Sequence, residues 1–114
     1  MTRLPLSESA SVTLNGSGAG TARLGPTGSG VTWYPRVVGV RVTPATNSPQ
    51  CRIYAGPSAT DDNFVDGTYT GNQNSSDAID GQVLRLGQYV FAVWAGGDAA
   101  AQATLTVTGE KEIP

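Results

Sequence analysis

Between Ala101 and Gly109 the chain alternates, with Ala103, Leu105 and Val107 apolar and Thr104, Thr106 and Thr108 polar between them. A period of two belongs to a strand with one buried and one wet face. Residues 82–95 form a second extended, apolar run broken at Gly87, and Gly96-Gly97-Asp98 between the two runs is turn chemistry. The pair predicts a long antiparallel hairpin at the end of the chain. Residues 9–14 place Val12 and Leu14 on one face, Asn15-Gly-Ser-Gly18 reads as a turn, and 19–24 as the returning strand. Residues 31–43 are the longest extended stretch. There Val38, Val40 and Val42 share a face opposite Gly39 and Arg41, and Pro35 predicts a bulge or an edge near the start.

Residues 50–55 predict a strand with Cys51 and Ile53 inward. Asp66-Gly67 between apolar residues is the signal of a type I′ hairpin. Ala78-Ile79 is a short apolar pair before the Asp80-Gly81 turn, and 82–86 reads as one more strand. Loops are expected at 25–30, 44–49, 56–62 and 71–77. No amphipathic helix or repeat is visible. About eight to nine short strands at this spacing predict an all-β fold, an antiparallel β-sandwich of jelly-roll type. Pro5 discourages regular pairing, so 1–8 is expected to be an N-terminal arm, 9–109 the sandwich and 110–114 a C-terminal tail. Leu4, Pro5, Leu6 and Ile113 then lie outside any alternating run, and apolar residues on polar arms are candidate interface residues.

One strand is apolar on both sides. Tyr89, Phe91 and Val93 share one face, and Val90, Ala92 and Trp94 the other. Such a strand is central and covered twice, or it docks one face on a partner. An aromatic platform for sugar is a further reading, beside the ordinary one of core packing.

At 114 residues the chain makes one domain with a real core. Seven Lys and Arg against nine Asp and Glu leave a net charge of −2, which gives no electrostatic footprint for nucleic acid. Six of the seven cations are arginines, which first fits a GC-rich coding sequence that also enriches Ala and Gly, and as the sharper reading suits interfaces. The lone Cys51 permits no intrachain disulfide. The first residues hold no apolar signal-peptide core and no run approaches a membrane span, so the expectation is a protein made in a cytoplasm with no membrane partner.

Little catalytic equipment is visible. The chain has no His, the commonest general base and zinc ligand. Gly16-Ser-Gly-Ala-Gly20 has some likeness to a phosphate-cradling loop but lacks the spacing and a following helix. Asp61, Asp62, Asp66, Asp77 and Asp80 fall in neighbouring predicted loops and could gather around Ca²⁺ or act as a glycosidase pair. The EF-hand spacing is absent, and Asp is a turn former in its own right. No enzyme activity, no cofactor and no metal site are expected.

Several short motifs carry a resemblance. They are Val12-Thr-Leu-Asn-Gly16, Gly25-Pro26 ahead of Trp33, Cys51-Arg-Ile-Tyr-Ala-Gly56, Asp66-Gly-Thr-Tyr-Thr-Gly-Asn72 with Ser75-Ser-Asp77, Leu86 through Val-Trp-Ala-Gly-Gly-Asp98, and the closing Ala103–Gly109 run. Over residues 9–109 the chain resembles small β-sandwich virion proteins of tailed phages that infect actinobacteria. Such proteins often show Pro-Gly after the Gly-Gly-Asp turn, where this chain has Ala99-Ala100. The resemblance implies a virion structural protein, either a capsid decoration or a minor tail component; the expectation taken from it is a capsid decoration protein that binds and reinforces the major capsid protein lattice as a homotrimer. It implies no catalytic residues. The alternatives are a minor tail or fibre module touching host-surface glycan, and a non-viral carbohydrate-binding sandwich.

Overall fold

A computed structural model describes residues 2–43, 47, 49–70, 75–79 and 81–114, with 66–70, 75 and 77 described by backbone alone. Among the described residues there are eight strands: β1 (Thr2–Thr13), β2 (Gly20–Leu24), β3 (Thr32–Thr43), β4 (Gln50–Gly56), β5 (Phe64–Thr70), β6 (Ser75–Ala78), β7 (Tyr89–Ala95) and β8 (Gln102–Ile113). A single 3₁₀ turn, Asp61–Asn63, leads into β5. The strands form two four-stranded antiparallel sheets, in the orders β1-β8-β3-β6 and β2-β7-β4-β5. The chain changes sheet at every connection except β4 to β5. This is the jelly roll, the eight-stranded double sheet built from two Greek keys.

The alternating runs explain the core. Leu6, Val38, Val40, Val42, Ala103, Leu105 and Val107 face inward from the first sheet, and Ala22, Cys51, Ile53, Val90, Ala92 and Trp94 from the second. Pro35 sits at a register shift in the β3–β8 ladder, as its missing N–H predicts. Gly109 pairs with Leu6 on one side and Pro35 on the other, and a Cβ there would collide with the Tyr34 carbonyl oxygen. Glycine therefore lets β8 run between its neighbours at this irregularity.

The connectivity departs from the sequence reading in six places. The final two runs are not a hairpin. β7 is central in the second sheet and β8 central in the first, so Gly96-Gly97-Asp98 carries the chain across the sandwich. The same holds for β1 and β2 around Asn15–Gly18. A hairpin and a crossover share turn chemistry, and period-two patterning does not say which sheet a strand joins. Asp66-Gly67 lies inside β5 and is no turn; register shifts in the β4–β5 ladder absorb it. Residues 82–86 form no strand: Leu84 makes one bridge to Trp33, through hydrogen bonds of 2.8 and 2.9 Å, and is buried. The 71–77 loop gives way to β6 from Ser75, and residues 71–74 of it lie outside the described residues, as do 44–46, 48 and Asp80.

The sixth departure concerns the ends. The predicted arm and tail are strand, paired without interruption from Thr2↔Ile113 to Thr13↔Gln102. Pro5 is tolerated because β1 is an edge strand. Leu6 is 2% exposed and belongs to the core, so it is not an interface residue. Leu4 and Ile113 are half-buried on the inner side of the same ladder, and Pro5 is exposed on its outer side.

Candidate docking surface

The period of two in β7 sends Val90, Ala92 and Trp94 into the core and turns Tyr89, Phe91 and Val93 outward. Register then assembles a row across the second sheet. Arg23 of β2 is opposite Phe91 of β7, Phe91 is opposite Tyr54 of β4, and Tyr54 is opposite Phe64 of β5. One step along β7, Thr21 and Arg52 flank Val93. Tyr89 closes the patch, its ring 5.6 Å from that of Phe91 in an edge-on contact. Tyr54 and Phe64 meet edge-on at 5.7 Å. The Arg23 guanidinium lies over the Tyr89 ring at 4.4 Å, a cation–π contact.

These residues form a small second cluster on the outside of the sandwich. Phe91 and Tyr54 are 7% and 6% exposed, whereas Phe64 is 47% exposed. Val93 and Tyr89 are half-buried, and both arginines are exposed. Neither Arg23 nor Arg52 has a carboxylate partner among the described residues. Aromatic and Arg side chains of this kind make the composition of an interface centre. A sugar-stacking platform needs open ring faces, and of the Phe91–Tyr54–Phe64 row only Phe64 offers one.

The outer face of the first sheet is different in kind. Ser7, Ser9, Ser11 and Thr13 of β1 lie beside Thr108, Thr106, Thr104 and Gln102 of β8, and Ser11 and Thr104 hydroxyls hydrogen-bond at 3.0 Å. At one end of this face Arg3 donates to Glu110 at 2.9 Å and Glu112 at 3.2 Å, and Arg36 donates to Glu110 at 2.8 Å. Arg3 also covers the Tyr34 ring at 4.0 Å. The Arg3 hydrogen bond, with Arg36 nearby, holds the Glu110 carboxyl below its ordinary pKa. These arginines are satisfied within the molecule; Arg23 and Arg52 are not.

The other sequence candidates disperse. Asp61 and Asp62 are exposed on the 3₁₀ turn, Asp66 is on β5 in the second sheet, and Asp77 is on β6 in the first. No group of three or more His, Cys, Asp or Glu that could hold a metal occurs among the described residues. Asn15–Gly18 is a turn in which the Asn15 Oδ1 accepts from the Ser17 and Ala19 N–H groups, and the Gly18 carbonyl accepts from the Gly97 N–H at 3.0 Å. Burial pushes the Cys51 thiol up to about 12. Among the described residues no helix is long and apolar enough to cross a membrane. No family model matches the chain, and no curated protein matches it.

Sequence reasoning found the two-sided strand but not its neighbours. Arg23, Arg52, Tyr54 and Phe64 join the patch only once β7 is placed between β2 and β4.

Proposed function

We propose that this protein is a structural component of a tailed-phage particle, a capsid decoration protein that binds and reinforces the major capsid lattice. The observation that carries this reading is the row Arg23–Phe91–Tyr54–Phe64 on the outside of the second sheet. It offers an aromatic, cation-bearing surface on a sandwich whose other face is polar. The jelly roll supports the reading at the level of fold, since it recurs in capsid and lectin domains. The short motifs at residues 9–109 support it by resemblance. In this reading the protein assembles as a trimer, carries out no catalysis and attaches through a sheet face, its ends being held in the β1–β8 ladder.

Cryo-electron microscopy of purified particles tests it. The expected result is density for the sandwich on the head, seated on capsid subunits with the second sheet toward the lattice. Density on the tail would transfer the protein to the tail or fibre reading. Particles without the protein, together with glycan binding by the isolated chain, would overturn the virion role in favour of a carbohydrate-binding domain.

A further inference from the structure

We infer that the outer face of the second sheet recognises an acidic extended segment of a partner protein, with two carboxylates flanking one apolar side chain. This rests on the reading of that face as a docking surface and adds the chemistry of what docks there. The outward residues of β2, β7 and β4 include Arg23 and Arg52 and no acid. The whole chain carries a net charge of −2, so this patch opposes the sign of the molecule that bears it. Two exposed guanidiniums without a carboxylate partner among the described residues are forks that can take carboxylates in bidentate geometry. Arg23 is pre-positioned by its contact with Tyr89, which lowers the cost of ordering it.

The register fixes the spacing. Arg23 is opposite Phe91, and Arg52 is opposite Val93 on the other side of β7. Two strand spacings across and one two-residue step along give a separation of about 12 Å between their Cα atoms. An extended chain covers about 13 Å in four residues and points residues one, three and five to the same side. Carboxylates at the first and fifth positions therefore reach the two arginines, and an apolar side chain at the third falls on Phe91 and Val93. A second copy of this chain, face to face, would bring Arg23 and Arg52 toward like charges, so charge complementarity favours an acidic partner.

The test is a nuclear magnetic resonance titration of the isotope-labelled protein with synthetic capped peptides. One has glutamates at its second and sixth positions and leucine at its fourth; a control has lysines in place of the glutamates. The acidic peptide is expected to shift amides around Arg23, Phe91, Val93 and Arg52. Raising the salt from about 50 to 500 mM, or introducing Arg23→Glu with Arg52→Glu, is expected to weaken binding by about tenfold or more. Arg41→Glu, on the opposite sheet, leaves it unchanged. The same spectra report whether each variant is folded, and Arg23→Gln with Arg52→Gln replaces the reversal if it is not. No shift at millimolar acidic peptide, equal binding of the lysine peptide, or self-association lost in Phe64→Glu would each overturn the inference. Peptide binding with no protein on particles would leave the inference standing and remove the virion role. Full occupancy on particles by the doubly reversed variant would do the opposite.

Discussion

At the scale of single residues the strongest constraints are local backbone geometry and complete burial. Ala100 has a φ of 64° and is the only non-glycine with positive φ among the described residues. It is the third residue of a turn closed by the Ala101 N–H to the Asp98 carbonyl oxygen at 3.3 Å, and positive φ at that position alone is the mark of a type II turn. Glycine takes this conformation without cost, so Ala100→Gly is expected to raise stability by roughly 0.5–1 kcal/mol, read from the urea midpoint. Trp94 is 1% exposed, and Trp94→Ala is expected to cost about 3–5 kcal/mol. An unchanged midpoint would show that its pocket can collapse or that it is not core. Glu110 gives the pH dependence a direction. Its folded pKa lies below the unfolded value of ~4.3, so its contribution is present above that value and lost as pH falls through the folded pKa. Glu110→Gln should therefore flatten the fall of melting temperature with pH on the acid side and leave the neutral region nearly unchanged, since the pairs are exposed.

At the scale of elements, the ladder of β1 with β8 replaces the predicted arm and tail. Removing residues 2–8 would strip half of β1, including Leu6 and its place opposite Gly109. The shortened chain is expected to melt far below the parent or not to fold, whereas loss of a frayed arm would move the melting temperature by no more than a few degrees. Leu6→Ala alone should cost about 2–5 kcal/mol. What was legible and what was not follows one rule. The inward faces of β3, β4 and β8 were readable because alternation is a property of each strand by itself. The placing of Cys51, Ile53, Val38 and Leu105 in the core needed nothing else. Partner choice was not readable, because Gly96-Gly97-Asp98 serves a crossover as well as a hairpin. Gly97 answers tertiary contacts: a Cβ on it would crowd Leu14 and Pro49, and a Cβ on Gly18 would strike its carbonyl. Leu4 and Leu6 already alternate around Pro5, but proline weighs against strand unless the edge position of β1 is known. The candidate surface was half legible for the same reason. The sequence shows two apolar faces on β7 without saying which is outside; burial of Val90, Ala92 and Trp94 decides that, and Arg23 and Arg52 reach the outer face through register.

For the whole molecule, the topology sets how the chain folds. Of the six strand pairings, only β4 with β5 joins strands consecutive in sequence. The β1–β8 ladder joins residues from 89 positions apart, at Thr13 and Gln102, to 111 apart, at Thr2 and Ile113. Closing such loops costs entropy before any contact is gained, and all-β folds of this kind refold in roughly milliseconds to seconds. The local β4–β5 pair and its neighbour β7 can form with less chain ordered, so they are expected in the rate-limiting structure, and β1 is expected to dock afterwards. Two substitutions separate these stages. Ile53→Val, at a fully buried site where β4 meets β5 and β7, should slow refolding in proportion to the stability it removes. Leu6→Ala, on β1, should leave refolding nearly unchanged and speed unfolding instead. Stopped-flow chevrons of the two variants measure this directly. If Leu6→Ala slows refolding as much as Ile53→Val does relative to its loss of stability, the long ladder is already formed at the barrier and the second sheet does not lead.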